Sequence, residues 1–265
     1  MPASATPSRA SGQRIVGHIE RLVSTPQLST VGRVRWDSGP VPVMRYRREG
    51  TGLEFDRVTF FTDAVFAIAM TLLVVEVGVP EALDGRSGDP GALLDVLREK
   101  VPLLAAFFLG CFVIGSYWTA HHRFMARMAA VDPGFAFLTV VYLTFIALLP
   151  FPTGLVGEFP QNPISIVAFA VTMGAVSTME AVLFRYAWRH KLLTEDLPRD
   201  AFRWLLAMSL SPVVLFALSL PVAFISTGLA VLVWALSIPV QMVLNRRRPE
   251  GAELYLDPQR NDSAA

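Results

Sequence analysis

Asp63 stands inside the apolar run Val58 to Val79, where an ionisable side chain needs a reason to persist. Even on the gentler insertion scales a carboxylate at the middle of a membrane helix costs about 2.5 to 3.5 kcal/mol, so it survives where partners or water offset that penalty. Two readings stay open from the residue alone: a functional carboxylate, or a hydrogen-bonded anchor near the membrane boundary. Candidate partners lie at the end of the second apolar run, which reads Ser116-Tyr117-Trp118-Thr119-Ala120-His121-His122-Arg123. The indole N–H of Trp118 and the imidazole of His121 or His122 are suitable donors, and a buried polar group without a partner costs several kcal/mol. The expectation is a network of Asp63, Trp118 and one histidine. In a proton-coupled secondary transporter, Asp63 and His121 would instead form a protonation relay.

Other chemistries find little support. His121 and His122 are adjacent, so on a helix they point about 100° apart, and no Cys cluster, Glu-x-x-His or zincin pattern accompanies them. No metal site or cofactor is expected. The single cysteine, Cys111, lies in an apolar run where it serves as a small hydrophobe. No Gly-x-Ser-x-Gly elbow or comparable motif supplies a nucleophile, so an enzyme is not expected. A net charge of +1 offers no global attraction to nucleic acid.

The elements that must position these residues follow from composition. The chain has 265 residues, 53% apolar and 17% charged, with the charges gathered into certain stretches. Windows of about 20 residues pass without a charge, which a water-soluble fold does not allow but a bilayer favours. Residues 1–56 are rich in Ser, Pro, Gly and Arg, hold no long apolar run, and read as a disordered basic arm. Residues 57–245 hold six apolar stretches, Val58 to Val79, Val101 to Ala120, Phe135 to Gly157, Ile164 to Trp188, Trp204 to Ile225 and Thr227 to Leu244; residues 246–265 form a tail. Each stretch is long enough to cross about 30 Å of hydrocarbon as a helix, giving an all-α integral membrane protein with six transmembrane helices per chain. The last two are expected to form a tight hairpin, and Pro150 and Pro152 are expected to bend the third.

Arg123, Arg127, Arg185, Arg189, Lys191, Arg199, Arg203 and Arg246 to Arg248 all fall on one side of this arrangement. The positive-inside rule then puts both termini in the cytoplasm. Within the fourth stretch Glu180 reads as a structural group able to pair with a neighbouring arginine, and Glu76 as a carboxylate at the outer end of the first.

On a helical wheel at about 100° per residue, with Ile68 at zero, Leu72 lies near +40°, Val75 near −20°, Thr71 near −60° and Asp63 about 140° away. Ile68, Leu72 and Val75 therefore share a stripe. A symmetric ring of such stripes would be a narrow apolar constriction that gates by dewetting; a lipid-facing or packing stripe would look the same in one sequence. Arg57 lies about 20° from Ile68 on the same wheel.

The run Arg57, Phe61, Thr62, Asp63 resembles the Arg-x-x-x-Phe-Ser-Asp signature of the transmembrane protein 175 channels, with threonine in place of serine and the hydroxyl kept. The likeness continues through Ala64 to Thr71, Trp118 to Arg123 and Leu148 to Thr153, about the first half of the membrane region. The last three stretches match only in hydropathy. What the resemblance implies is a potassium-permeable channel whose first helices line the pore, with Ile68 at the family's isoleucine constriction and Leu72 and Val75 continuing the pore line. Valine stands there where bacterial members often have leucine. Relatives with one six-helix unit form tetramers, so K+ ions, the lipid bilayer and three further copies of the chain are the partners implied. The single unit and the Arg- and Ala-rich composition point to a bacterial plasma membrane.

Overall fold

The computed structural model describes residues 45–47, 53–78, 88–194 and 197–249; most of the expected N-terminal arm, and residues 250–265 of the tail, lie outside the described residues. Nine helices are present among the described residues: α1 (Leu53–Val77), α2 (Pro90–Glu99), α3 (Val101–Ala126), α4 (Pro133–Leu148), α5 (Pro150–Glu158), α6 (Pro163–Arg189), α7 (Arg199–Ala223), α8 (Thr227–Ala235) and α9 (Ser237–Arg246). Six spans long and apolar enough to cross a membrane result, with α4 and α5 sharing the third and α8 and α9 the sixth.

Helix starts follow from local chemistry. Asp89, Asp132 and Asn162 each precede a proline, and their side-chain oxygens accept from Gly91 N at 2.9 Å, Phe135 N at 2.7 Å and Ile164 N at 2.9 Å. The proline lacks an N–H at a position where that donor would find no helical acceptor, and its fixed φ suits the first turn. Ser226 caps α8 through Leu229 N, closing the short turn of the α7–α8 hairpin.

Proline also sets the two internal breaks. Pro150 cannot donate to the carbonyl of Ile146, and Leu149 N takes that oxygen instead at 3.1 Å. Thr153 Oγ1 then donates to Leu149 O at 2.7 Å, so the interruption is partly repaired by a side chain. Pro239 stands in the same relation to Ala235, where α8 gives way to α9.

Packing between spans relies on small residues, because lipid tails are as apolar as leucine and only close fit favours helix on helix. A Cβ added at Gly110 of α3 would lie 2.9 Å from Leu73 Cδ2 of α1 and 3.0 Å from Thr153 Cγ2 of α5. At Gly157 of α5 it would lie 2.9 Å from the Leu103 Cα of α3. In the second half aromatic rings do the joining: Trp234 packs on Phe169 at 4.8 Å and donates to Ser219 Oγ at 2.9 Å, while Trp204 Nε1 reaches Leu244 O at 2.8 Å.

Two features were not expected. α2 is an amphipathic helix between the first two apolar stretches, where no element was expected, with Leu93, Leu94 and Leu97 exposed and Arg98 joined to Asp95 at 3.1 Å. Tyr46–Arg47 (β1), within the expected arm, pairs antiparallel with Ala130–Val131 (β2), and α1 begins at Leu53, before the expected boundary at residue 57.

Candidate functional site

α1 divides its side chains sharply between two faces. Phe55, Thr62, Phe66, Ala69 and Leu73, spaced at seven, four, three and four residues, are buried within the chain. The opposite face carries Phe61, Ile68, Thr71, Leu72 and Val75, and here Ile68 is 57% exposed and Val75 67% exposed in the single chain. The stripe drawn from the wheel is thus turned away from the rest of the chain. Thr71 Oγ1 donates to Ile68 O at 2.8 Å, leaving its oxygen lone pairs on that outward face.

A polar contact joins α1 to α3 beside this packing. Trp118 Nε1 of α3 donates to Asp63 Oδ1 at 2.9 Å, and the His122 ring stacks on the indole at 5.3 Å with 28° between planes. Asp63 and Trp118 line a cleft of about 740 Å³ between α1 and α3, floored by Ala67, Met70, Gly115 and Thr119. At the far end of α1, Lys100 Nζ donates to Val77 O at 3.1 Å, a cation on an otherwise orphaned C-terminal carbonyl. The Glu76 carboxylate lies over Gly154 of α5.

The remaining motif residues separate. Thr62 is buried and donates to Val58 O at 2.9 Å, so its hydroxyl serves its own helix and not Asp63. Arg57 is exposed and approaches Glu54 Oε1 at 3.4 Å. His121 does not join Asp63: it is 2% exposed, stacks on Tyr142 at 5.3 Å with 19° between planes, and lies 6.1 Å from both Phe66 and Phe124. A one-residue step on a helix turns the side chain by about 100°, which sends His121 inward and leaves His122 beside the indole. The Asp63–His121 relay of a coupled transporter therefore has no hydrogen bond to run through.

Several functional-looking groups were not anticipated. Tyr117 bonds with Ser177 of α6, Tyr186 donates to Asp132 Oδ1 at 3.1 Å, and His190 Nδ1 lies 3.7 Å from Asp132 Oδ2 with its ring stacked on Tyr186. The Asp132-Pro133-Gly134 run was a readable helix-start signal; the tyrosine that meets it comes from a distant helix and was not. Glu180, expected to pair with an arginine, makes no ion pair among the described residues, and Arg185, five positions on, is exposed. No group of three His, Cys, Asp or Glu able to hold a metal is assembled among the described residues.

Comparison with known proteins agrees with this architecture. Residues 57–150 match the family model described as endosomal/lysosomal potassium channel TMEM175. A Streptomyces collinus protein named as a potassium channel is 35% identical over 144 residues, which is 54% of this chain and 68% of that protein. The chicken protein named as an endosomal/lysosomal proton channel TMEM175 is 31% identical over 147 residues, 54% of this chain and 29% of the longer relative. The crystal structure of a lysosomal potassium-selective channel TMEM175 homolog from Chamaesiphon minutus superposes with a TM-score of 0.61 at 27% identity, covering 73% of this chain and 99% of that one. A six-span helical membrane protein that matches the family model over residues 57–150 and shares its fold with these channels, this chain belongs to the TMEM175 family of ion channels.

Proposed function

We propose that the protein is a potassium-permeable channel, a homotetramer in which four copies of α1 line a central pore and Ile68, Leu72 and Val75 form its hydrophobic constriction. K+ moves passively down its gradient, and no cofactor takes part. The observation that carries this reading is the outward face of α1, where Ile68 and Val75 are left uncovered by their own protomer while Phe66 and Leu73 are fully packed. Lipid could cover an apolar stripe, but this face also carries Thr71, whose oxygen lone pairs point outward where a water-filled path would meet them. Asp63 is then an anchor: its bond to Trp118 holds the stripe in register from the other side of the helix.

The relatives support the same reading, since those from Streptomyces and Chamaesiphon carry names that specify potassium. The basic residues at one end of the spans favour a cytoplasmic position for both termini, and the likeness to bacterial proteins favours a bacterial plasma membrane.

The test is potassium flux into liposomes holding purified protein, with Ile68→Asn and Leu72→Ala beside the parent and sodium replacing potassium in a parallel series. A polar residue in the constriction should raise flux or erase the preference between the two ions. Absence of flux from parent and variants alike, with tetramer formation verified, would defeat the channel reading.

A further inference from the structure

Of the described helices, α2 separates its apolar from its charged side chains most fully. On a wheel at about 100° per residue with Leu93 at zero, Leu97 lies near +40° and Leu94 near +100°, while Arg98, Asp95 and Glu99 fill the sector from about +140° through 180° to −120°. The third side, with Val96 near −60° and Ala92 near −100°, rests on the chain itself: Ala92 is buried and Val96 half-buried. The three leucines stay between 44% and 49% exposed.

The junction with α3 sets the depth of this helix. Only Lys100 separates Glu99 from Val101, where the second span begins, and Lys100 Nζ donates to Val77 O at 3.1 Å, where the first span ends. Both points mark one boundary of the hydrocarbon, at the end of the spans away from Arg123 and Arg189. Pro102 has no N–H for the carbonyl of Arg98, so α3 does not run on unbroken into α2, and the two are separate helices. Leu97 stands five residues before Pro102, or ~7 Å of helix. The polar layer on each side of a bilayer is about 5 to 7 Å deep, so this leucine falls within it or at its edge.

The apolar surface continues past the junction. Lys100 keeps right-handed helical dihedrals, and at the same pitch Val101, Leu104, Phe108 and Phe112 of α3 fall between about +20° and +100°, in the leucine sector. All four are exposed on a span that the bilayer must cover. Three half-exposed leucines fall far short of the ~800 Å² per partner that a stable protein interface buries, whereas a bilayer sets no such minimum and binds in proportion to apolar area. Headgroup charge adds nothing: Arg98 is joined to Asp95 at 3.1 Å, and Glu99 leaves the charged side of α2 acidic.

We infer that α2 is an interfacial anchor that lies on the bilayer surface at the junction of the first two spans, with Leu93, Leu94 and Leu97 set among headgroups and upper acyl chains. Asp95, Arg98 and Glu99 face water. The partner is the phospholipid bilayer, engaged through apolar contact and not through headgroup charge. Because Lys100 ties this junction to Val77, the anchor holds the ends of α1 and α3 at one depth. The inference rests on the membrane-spanning fold and not on conduction.

Fluorescence quenching in phosphatidylcholine nanodiscs tests it, with the full-length protein carrying one bimane label at Leu97→Cys, Leu93→Cys or Asp95→Cys in a Cys111→Ala background, Cys111 being the single native cysteine. Phospholipids brominated near the headgroup end of their acyl chains should quench the two leucine-site labels several-fold more than the label at Asp95→Cys. Aqueous iodide should show the reverse order, and replacing part of the lipid by phosphatidylglycerol should change neither. Leu93→Cys and Leu97→Cys report on the same face, so either one suffices if the other does not fold. Leucine-site labels quenched by iodide and not by bromolipid would overturn the anchor by placing the face in water. Labels reached by neither quencher would overturn it by showing that protein, a second copy or the chain itself, covers the leucines. Bromolipid quenching that appears only with phosphatidylglycerol would overturn the apolar mode of contact. Since no arm reads ion flux, failure here leaves the channel reading standing, and the converse holds as well.

Discussion

Trp118 Nε1 and Asp63 Oδ1 are 2.9 Å apart, and this bond ties the C-terminal half of α3 to the first half of α1 on the side opposite Ile68. Turning α1 by one residue would break it. A hydrogen bond to a charged acceptor typically contributes about 1.5 to 3 kcal/mol, though polar pairs in membrane proteins average nearer 0.6 kcal/mol. Trp118→Phe should therefore lower the thermal stability of the purified protein by about 1 kcal/mol. Asp63→Ala should remove the same contact and disturb conduction as well. A double-mutant cycle measures the coupling, and additive effects would mean that the bond does not hold the helix.

Val75 is proposed as the outermost residue of the constriction, where its side chain sets the width. Val75→Leu should reduce potassium flux and Val75→Ala should increase it, each several-fold, with the fold unchanged, because the residue is not packed within its protomer. Arg57→Ala should leave stability unaltered, since its pairing with Glu54 is solvent-exposed. Equal flux from both Val75 variants would remove this residue from the pore.

Gly110 and Gly154 offer a paired contrast. A methyl group at Gly110 meets Leu73 and Thr153 within a packed three-helix contact, whereas at Gly154 it meets chiefly the flexible Glu76 side chain. Overpacking a close contact costs about 1 to 3 kcal/mol, so Gly110→Ala should fall in that range and Gly154→Ala below it. Thermal unfolding in detergent measures both; the opposite order would show that the α1–α3–α5 contact is looser than its geometry.

Asp132 is buried, caps α4 through Phe135 N and accepts from Tyr186 of α6. Loss of a capping side chain costs about 0.5 to 2 kcal/mol. Asp132→Ala should sit at or above the top of that range, because the tyrosine hydroxyl loses its acceptor too, and Tyr186→Phe should cost about 1 kcal/mol alone. If Tyr186→Phe is silent in thermal unfolding, the cap alone carries the effect.

Much of this protein is written locally along the chain. Six charge-poor runs make six helical spans, because within a bilayer a single segment satisfies its own backbone donors and acceptors by coiling into helix. Asp-Pro and Asn-Pro mark helix starts, Pro150 and Pro239 mark the breaks, and the angular spacing of Ile68, Leu72 and Val75 makes them one stripe opposite Asp63. Tertiary structure alone decided which neighbours these groups meet. Periodicity could name a histidine as a partner for Asp63, but the packing of α3 against α4 turned His121 onto Tyr142 and left His122 on the indole. It also left Glu180 without an ion pair to an arginine among the described residues. Hydropathy is a property of one segment, whereas a hydrogen bond between α3 and α6 depends on how two helices rotate and slide against each other, and that is set by close contacts such as Gly110 with Leu73.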